Sequence, residues 1–88
     1  MAWTIELRPA ARKSLKKMGR QTQSEILDYL GNRIGTAEDP RAFGKPLRHE
    51  KYGLWRYRVG DYRIICELQN QRLVVLVMEI GHRSNVYD

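Results

Sequence analysis

The chain has 88 residues, enough for one small domain spanning residues 1–88 and little more. Apolar residues make up 42% of it and aromatics 9%, so it can form a core and is not a disordered tail. Sixteen Lys and Arg against ten Asp and Glu leave a formal charge of +6, a density that attracts polyanions. One cysteine, Cys66, rules out an intrachain disulfide, and with His49 and His82 it cannot complete a zinc finger. The longest apolar run, Leu73 to Met78, is far too short to span a bilayer. Met1 to Glu6 has neither the basic nor the apolar part of a signal peptide. The expectation is a cytoplasmic protein with no membrane partner, no cofactor and a packed, reduced thiol.

In chain order, Trp3, Ile5 and Leu7 alternate with Thr4 and Glu6 as a short strand. Pro9 suits the first position of a helix. Ala11, Leu15 and Met18 form one apolar stripe on that helix, with Arg12, Lys13, Lys16, Lys17 and Arg20 covering the rest. Gly19 reads as its stop. Thr22 and Glu25 read as a capping box opening a second helix, with Ile26, Leu27, Leu30 and Ile34 on its apolar face and Gly35 at its end. A two-residue connection makes the pair a helical hairpin. Residues 35–52 hold Pro40, Pro46, Gly35 and Gly44 with no clear period, and read as a long loop. Leu54 to Val59 and Tyr62 to Leu68 flank Gly60-Asp61, a two-residue turn with Gly first, as type II′ prefers. After a turn at Gln69 to Gln71, Leu73 to Ile80 reads as a central strand covered on both faces. The predicted fold is α+β with order β-α-α-β-β-β, an N-terminal helical hairpin packed on one face of a small, largely antiparallel sheet.

Strand parity divides the hairpin. Trp55, Tyr57 and Val59 point toward the helices, and Leu54, Arg56 and Arg58 point away. A two-residue turn then pairs Val59 with Tyr62, Arg58 with Arg63 and Arg56 with Ile65. Three arginines on one non-core face call for an external anion or a buried acid. A solvated basic face balanced by Glu67 satisfies the same residues. The C-terminal stretch adds His82, Arg83 and Tyr87, expected to fold back beside that face. Guanidinium groups bind phosphate oxygens bidentately and stabilise charge developing at phosphorus. An imidazole or phenol beside them could exchange protons with a 2′-hydroxyl and a leaving oxygen. The set suits phosphodiester cleavage without a metal, and no carboxylate cluster suited to two Mg²⁺ ions is present. Cys66 has core parity and reads as inert.

Lys45-Pro46-Leu47-Arg48, the run from Tyr52 through Trp55-Arg56-Tyr57-Arg58-Val59-Gly60-Asp61-Tyr62-Arg63 to Ile65, the Val75 to Ile80 strand and Gly81-His82-Arg83 resemble the RelE/ParE superfamily of toxin–antitoxin toxins. The resemblance covers nearly the whole chain. It implies a ribosome-dependent, metal-independent endoribonuclease that cuts mRNA in the A site by 2′-hydroxyl attack. It also implies a cognate acidic, RelB-like antitoxin, with DNA contacted only through that antitoxin. Carried over by position, Arg63, Arg83 and Tyr87 are the implied catalytic residues, with His82 as an alternative proton carrier. Arg56, Arg58, Lys51 and Arg48 would hold mRNA. Arg12, Lys13, Lys16, Lys17 and Arg20 would face ribosomal RNA, or form a solvated helix face. ParE-like relatives imply a different outcome, inhibition of DNA gyrase without nuclease activity. A third reading is an inactive RNA-binding module.

Overall fold

The computed structural model describes residues 2–47 and 53–83. Strand β1 (Thr4–Leu7) leads into helix α1 (Pro9–Lys16) and helix α2 (Arg20–Tyr29). A π-helical turn, Leu30–Ile34, extends α2 to Gly35. A 3-10 turn (Pro40–Phe43) precedes β2 (Lys45–Pro46), then β3 (Leu54–Val59), β4 (Tyr62–Gln69) and β5 (Val74–His82). The sheet order is β1-β5-β4-β3-β2, with β1 parallel to β5 and the other pairs antiparallel. The α+β architecture holds, with a fifth strand that sequence periodicity did not reveal. Strand β2 is only two residues long and contains Pro46, which a sheet tolerates at an edge.

Both helices pack on one face of the sheet. Ala11 and Leu15 of α1, Ile26 of α2, and Leu30 and Ile34 beyond it meet Tyr57, Ile64, Cys66, Val75, Val77 and Ile80 in a single buried cluster. Each fully buried Val, Leu or Ile in it contributes about 1.5–3 kcal/mol of transfer free energy.

The helix boundaries differ from the sequence expectation. Gly19 opens α2 rather than closing α1, with an extended backbone (φ −62, ψ 156) and no side-chain cap. Its carbonyl accepts the Gln23 amide at 3.0 Å, and Gln23 Nε2 donates back to the Met18 carbonyl at 2.8 Å. Gln23 thus braces the junction, and Thr22 and Glu25 lie inside the helix. Helix α1 ends earlier, at Lys16, where Lys17 and Met18 donate to the Ser14 and Leu15 carbonyls in a tightened last turn.

Strand β5 is hydrogen-bonded on both sides but is not covered on both faces. Val75, Val77 and Ile80 are buried against the helices, while Leu76 and Met78 are half-exposed and Glu79 is exposed. Its register against β4 slips by one residue: Ile65 faces Glu79 and Cys66 faces Val77, leaving Met78 as a bulge.

Candidate active site

The hairpin registers as its parity requires. Val59 pairs with Tyr62, Arg58 with Arg63, Arg56 with Ile65 and Leu54 with Glu67. Gly60 adopts φ 58, a left-handed value that glycine reaches without a Cβ penalty and that the first position of a type II′ turn needs. Tyr57 and Ile64 point into the core, so Arg56, Arg58 and Arg63 stand together on the face away from the helices. Arg58 is exposed, whereas Arg56 and Arg63 are half-buried, with Arg63 Nε shielded from solvent. Ile65, only 4% exposed on the same face, provides an apolar floor. Low polarizability beneath fixed cations strengthens their field at a bound anion.

Strand β2 adds a cation that sequence reasoning did not assign to the site. Lys45 is the register partner of Arg56, which places it on the arginine face. Its strand signal was hidden by brevity and by Pro46. Lys45, Arg56 and Arg58 line a cleft of about 210 Å³ with Phe43, Gly44 and Tyr57. Two carboxylates share the face by register. Glu79 lies opposite Ile65, and Glu67, whose Oε1 accepts from Gln69 Nε2 at 2.9 Å, lies next along β4.

The end of β5 divides the remaining candidates. The Met78 bulge inverts the facing of every later residue, so His82 pairs with Tyr62 on the helix side of the sheet. The two rings meet edge to face at 5.7 Å and 82°. His82 therefore lies on the opposite face from Arg58 and Arg63, contrary to the expectation that it folds beside them. Arg83 is exposed, and its backbone N–H donates to the Asp61 carbonyl at 2.8 Å, which ties it to the hairpin tip. Arg48, Lys51 and Tyr87 lie outside the described residues.

Arg12, Lys13, Lys16, Lys17 and Arg20 are all exposed. They ride on the helical layer, across the sheet from the arginine face. The molecule thus carries two basic surfaces back to back. Burial pushes the Cys66 thiol well above its ordinary range, which keeps it protonated and unsuited to nucleophilic work. Among the described residues, no group of three or more His, Cys, Asp or Glu is placed to hold a metal ion, and no helix is long and apolar enough to cross a membrane.

A family model described as the ParE toxin of the type II toxin–antitoxin system parDE matches residues 5–87. The chain belongs to this toxin family. Within the wider RelE/ParE superfamily, this toxin is 25% identical to toxin RelG of Mycobacterium tuberculosis over 87 residues, which is 99% of the chain and 98% of the relative. It is 24% identical to toxin RelE of the same organism, covering 94% and 84%. The fold is similar to that in the toxin–antitoxin complex RelBE2 from M. tuberculosis, with TM-score 0.86, 24% identity and coverage of 97% and 95%. It is also similar to the isolated Escherichia coli RelE toxin, with TM-score 0.72, 18% identity and coverage of 92% and 84%.

Proposed function

We propose that this toxin is an endoribonuclease that cuts mRNA in the ribosomal A site and so arrests translation in the cytoplasm. The observation that carries the reading is the arginine face. Arg58 and Arg63 sit in direct register beside Arg56 and Lys45, over a buried apolar floor. Similarity along almost the full chain to toxins named RelG and RelE supports the nuclease reading over a purely binding role.

In the proposed reaction, the ribose 2′-oxygen attacks the adjacent phosphorus as its proton leaves. The bond from phosphorus to the 5′-oxygen breaks, and that oxygen gains a proton. The products are a 2′,3′-cyclic phosphate and a free 5′-hydroxyl. Arg63 stabilises the charge that builds on the phosphoryl oxygens, since its guanidinium stays charged at any working pH. Arg56, Arg58 and Lys45 hold the flanking phosphates, with Lys51 and Arg48 as further candidates. Arg83 neutralises the leaving side. Proton transfer falls to Tyr87, because His82 lies beside Tyr62 on the other face of the sheet. The cations of α1, of the following turn and of the first residue of α2, from Arg12 to Arg20, contact ribosomal RNA, so one face docks while the other cuts.

A RelB-like acidic antitoxin is the proposed inhibitor. Similar folds occur in toxin–antitoxin complexes from M. tuberculosis and Pyrococcus horikoshii. A second reading, a gyrase-directed toxin without nuclease activity, is favoured by the ParE description of the matching family.

The test is primer extension on one mRNA, free and bound to ribosomes with an empty A site. New 5′ ends inside the A-site codon, lost in Arg63→Ala, support the proposal. Toxicity that survives Arg63→Ala without any cleavage supports the gyrase reading.

A further inference from the structure

Phe43 is one of two large apolar side chains that remain well exposed among the described residues, at 42%. Its position is built rather than incidental. The Tyr57 hydroxyl donates to the Pro40 carbonyl at 2.9 Å, latching the 3-10 turn to β3. Gly44 crosses so close to Tyr57 that a Cβ there would lie 2.8 Å from the ring. The Arg33 guanidinium sits 5.4 Å from the centre of the Phe43 ring, a cation–π contact that orients it. The ring divides two depressions. One is lined with Asn32, Arg33, Thr36 and Ala37, the other with Gly44, Lys45, Arg56, Tyr57 and Arg58.

We propose that the Phe43 cleft is a nucleobase subsite. A base of single-stranded RNA stacks on Phe43, and Lys45 and Arg58 hold the phosphates on either side of it. Three features point the same way. An exposed, oriented aromatic ring beside cations is the combination that binds single strands through stacking and charge. The cleft, at about 210 Å³, falls below the roughly 300–1,000 Å³ of whole-ligand pockets and suits one heterocycle. Arg58 belongs both to the cleft and to the Arg58–Arg63 pair, so a base seated on Phe43 is the neighbour of the phosphate held at Arg63. The subsite deepens the ribonuclease reading and rests on it for the choice of RNA. Stacking tolerates any base, so Phe43 sets where the strand lies rather than which codon is cut.

The test is fluorescence anisotropy with the full chain and a short single-stranded RNA carrying 2′-O-methyl groups, which block 2′-attack. Twin oligonucleotides each lack one base. Phe43→Ala is expected to weaken binding roughly 5- to 150-fold, the range of one lost stack. Against one abasic twin the same substitution costs nothing further, because the partner base is already gone. Lys45→Ala and Arg58→Ala each lower the salt slope by about 0.7, whereas Phe43→Ala leaves it unchanged. If Phe43→Ala unfolds, the pair Phe43→Trp and Phe43→Leu decides: Trp binds like the parent and Leu does not. Equal losses for the intact oligonucleotide and every abasic twin overturn the proposal, as does wild-type binding too weak to measure at low salt. Phe43-dependent binding without cleavage in primer extension keeps the subsite and removes the nuclease. Cleavage with Phe43-independent binding does the reverse.

Discussion

Arg58 and Arg63 stand directly opposite one another on β3 and β4, two positive charges in a cross-strand pair one step from the Gly60-Asp61 turn. Directly opposed side chains have Cβ atoms about 4.5–5.5 Å apart, and like charges there destabilise a hairpin. Replacing one member of the pair removes that cross-strand repulsion. Arg58→Thr is therefore expected to stabilise the protein by roughly 0.2–1 kcal/mol at low salt and to lose that gain as salt screens the pair. The same variant loses cleavage. Urea denaturation at two ionic strengths checks the first part, and loss of stability at low salt would count against it.

The Tyr57 latch makes a separate prediction. The hydroxyl is buried and bonded to the Pro40 carbonyl. Tyr57→Phe leaves that carbonyl without its donor and is expected to cost about 1–3 kcal/mol. Gly44→Ala forces a Cβ against the same ring and is expected to cost about 1–3 kcal/mol as overpacking. Both variants should also mobilise Phe43, seen as faster amide exchange across residues 41–45. A Gly44→Ala protein with parental stability would contradict the close approach.

His82 offers a direct check of the bulge. Its ring lies against Tyr62, across the sheet from the arginines. His82→Phe keeps an aromatic edge-to-face contact and removes the imidazole. Single-turnover cleavage by this variant is expected to match the parent at neutral pH. A loss of 100-fold or more, the scale of a missing acid or base, would return His82 to the proton-transfer role.

Alkaline pH should weaken the fold through Cys66. Burial raises its folded pKa, while the unfolded thiol titrates at about 8.5. Below that value both states hold the proton and stability is unaffected. Above it the unfolded chain releases a proton that the folded chain keeps, so stability falls as pH rises. Tyr57, also raised by burial, adds a second decline above about pH 10. Cys66→Ala should flatten the fall between the two. Urea midpoints from pH 7 to 10 measure it, and identical slopes in parent and variant would refute the assignment.

Much of the site was legible in the residues. Period-two alternation and Gly60-Asp61 together determine the hairpin register, because a two-residue turn allows one pairing and each face follows from it. The grouping of Arg56, Arg58 and Arg63 needed nothing further. The start of α2 was not legible. Thr22 and Glu25 have capping-box spacing, but Gln23 bonds back to Met18 and lets Gly19 open the helix one turn sooner.

The sequence by itself determined the α+β class, the helical hairpin, the β3–β4 pairing and the shared arginine face. These rest on local periods and one short turn. The tertiary structure alone decided the β2 strand, the Phe43 cleft and the facing of His82. Lys45 and Pro46 become a strand only because β3 offers them an edge, with the 3-10 turn pinned beside it by Tyr57. His82 faces the helices because β5 takes one extra residue, Met78, opposite the junction of Ile65 and Cys66. No local pattern announces that residue. The bulge lets Val77 and Ile80, three apart, both enter the core, and that packing reverses the parity of everything that follows.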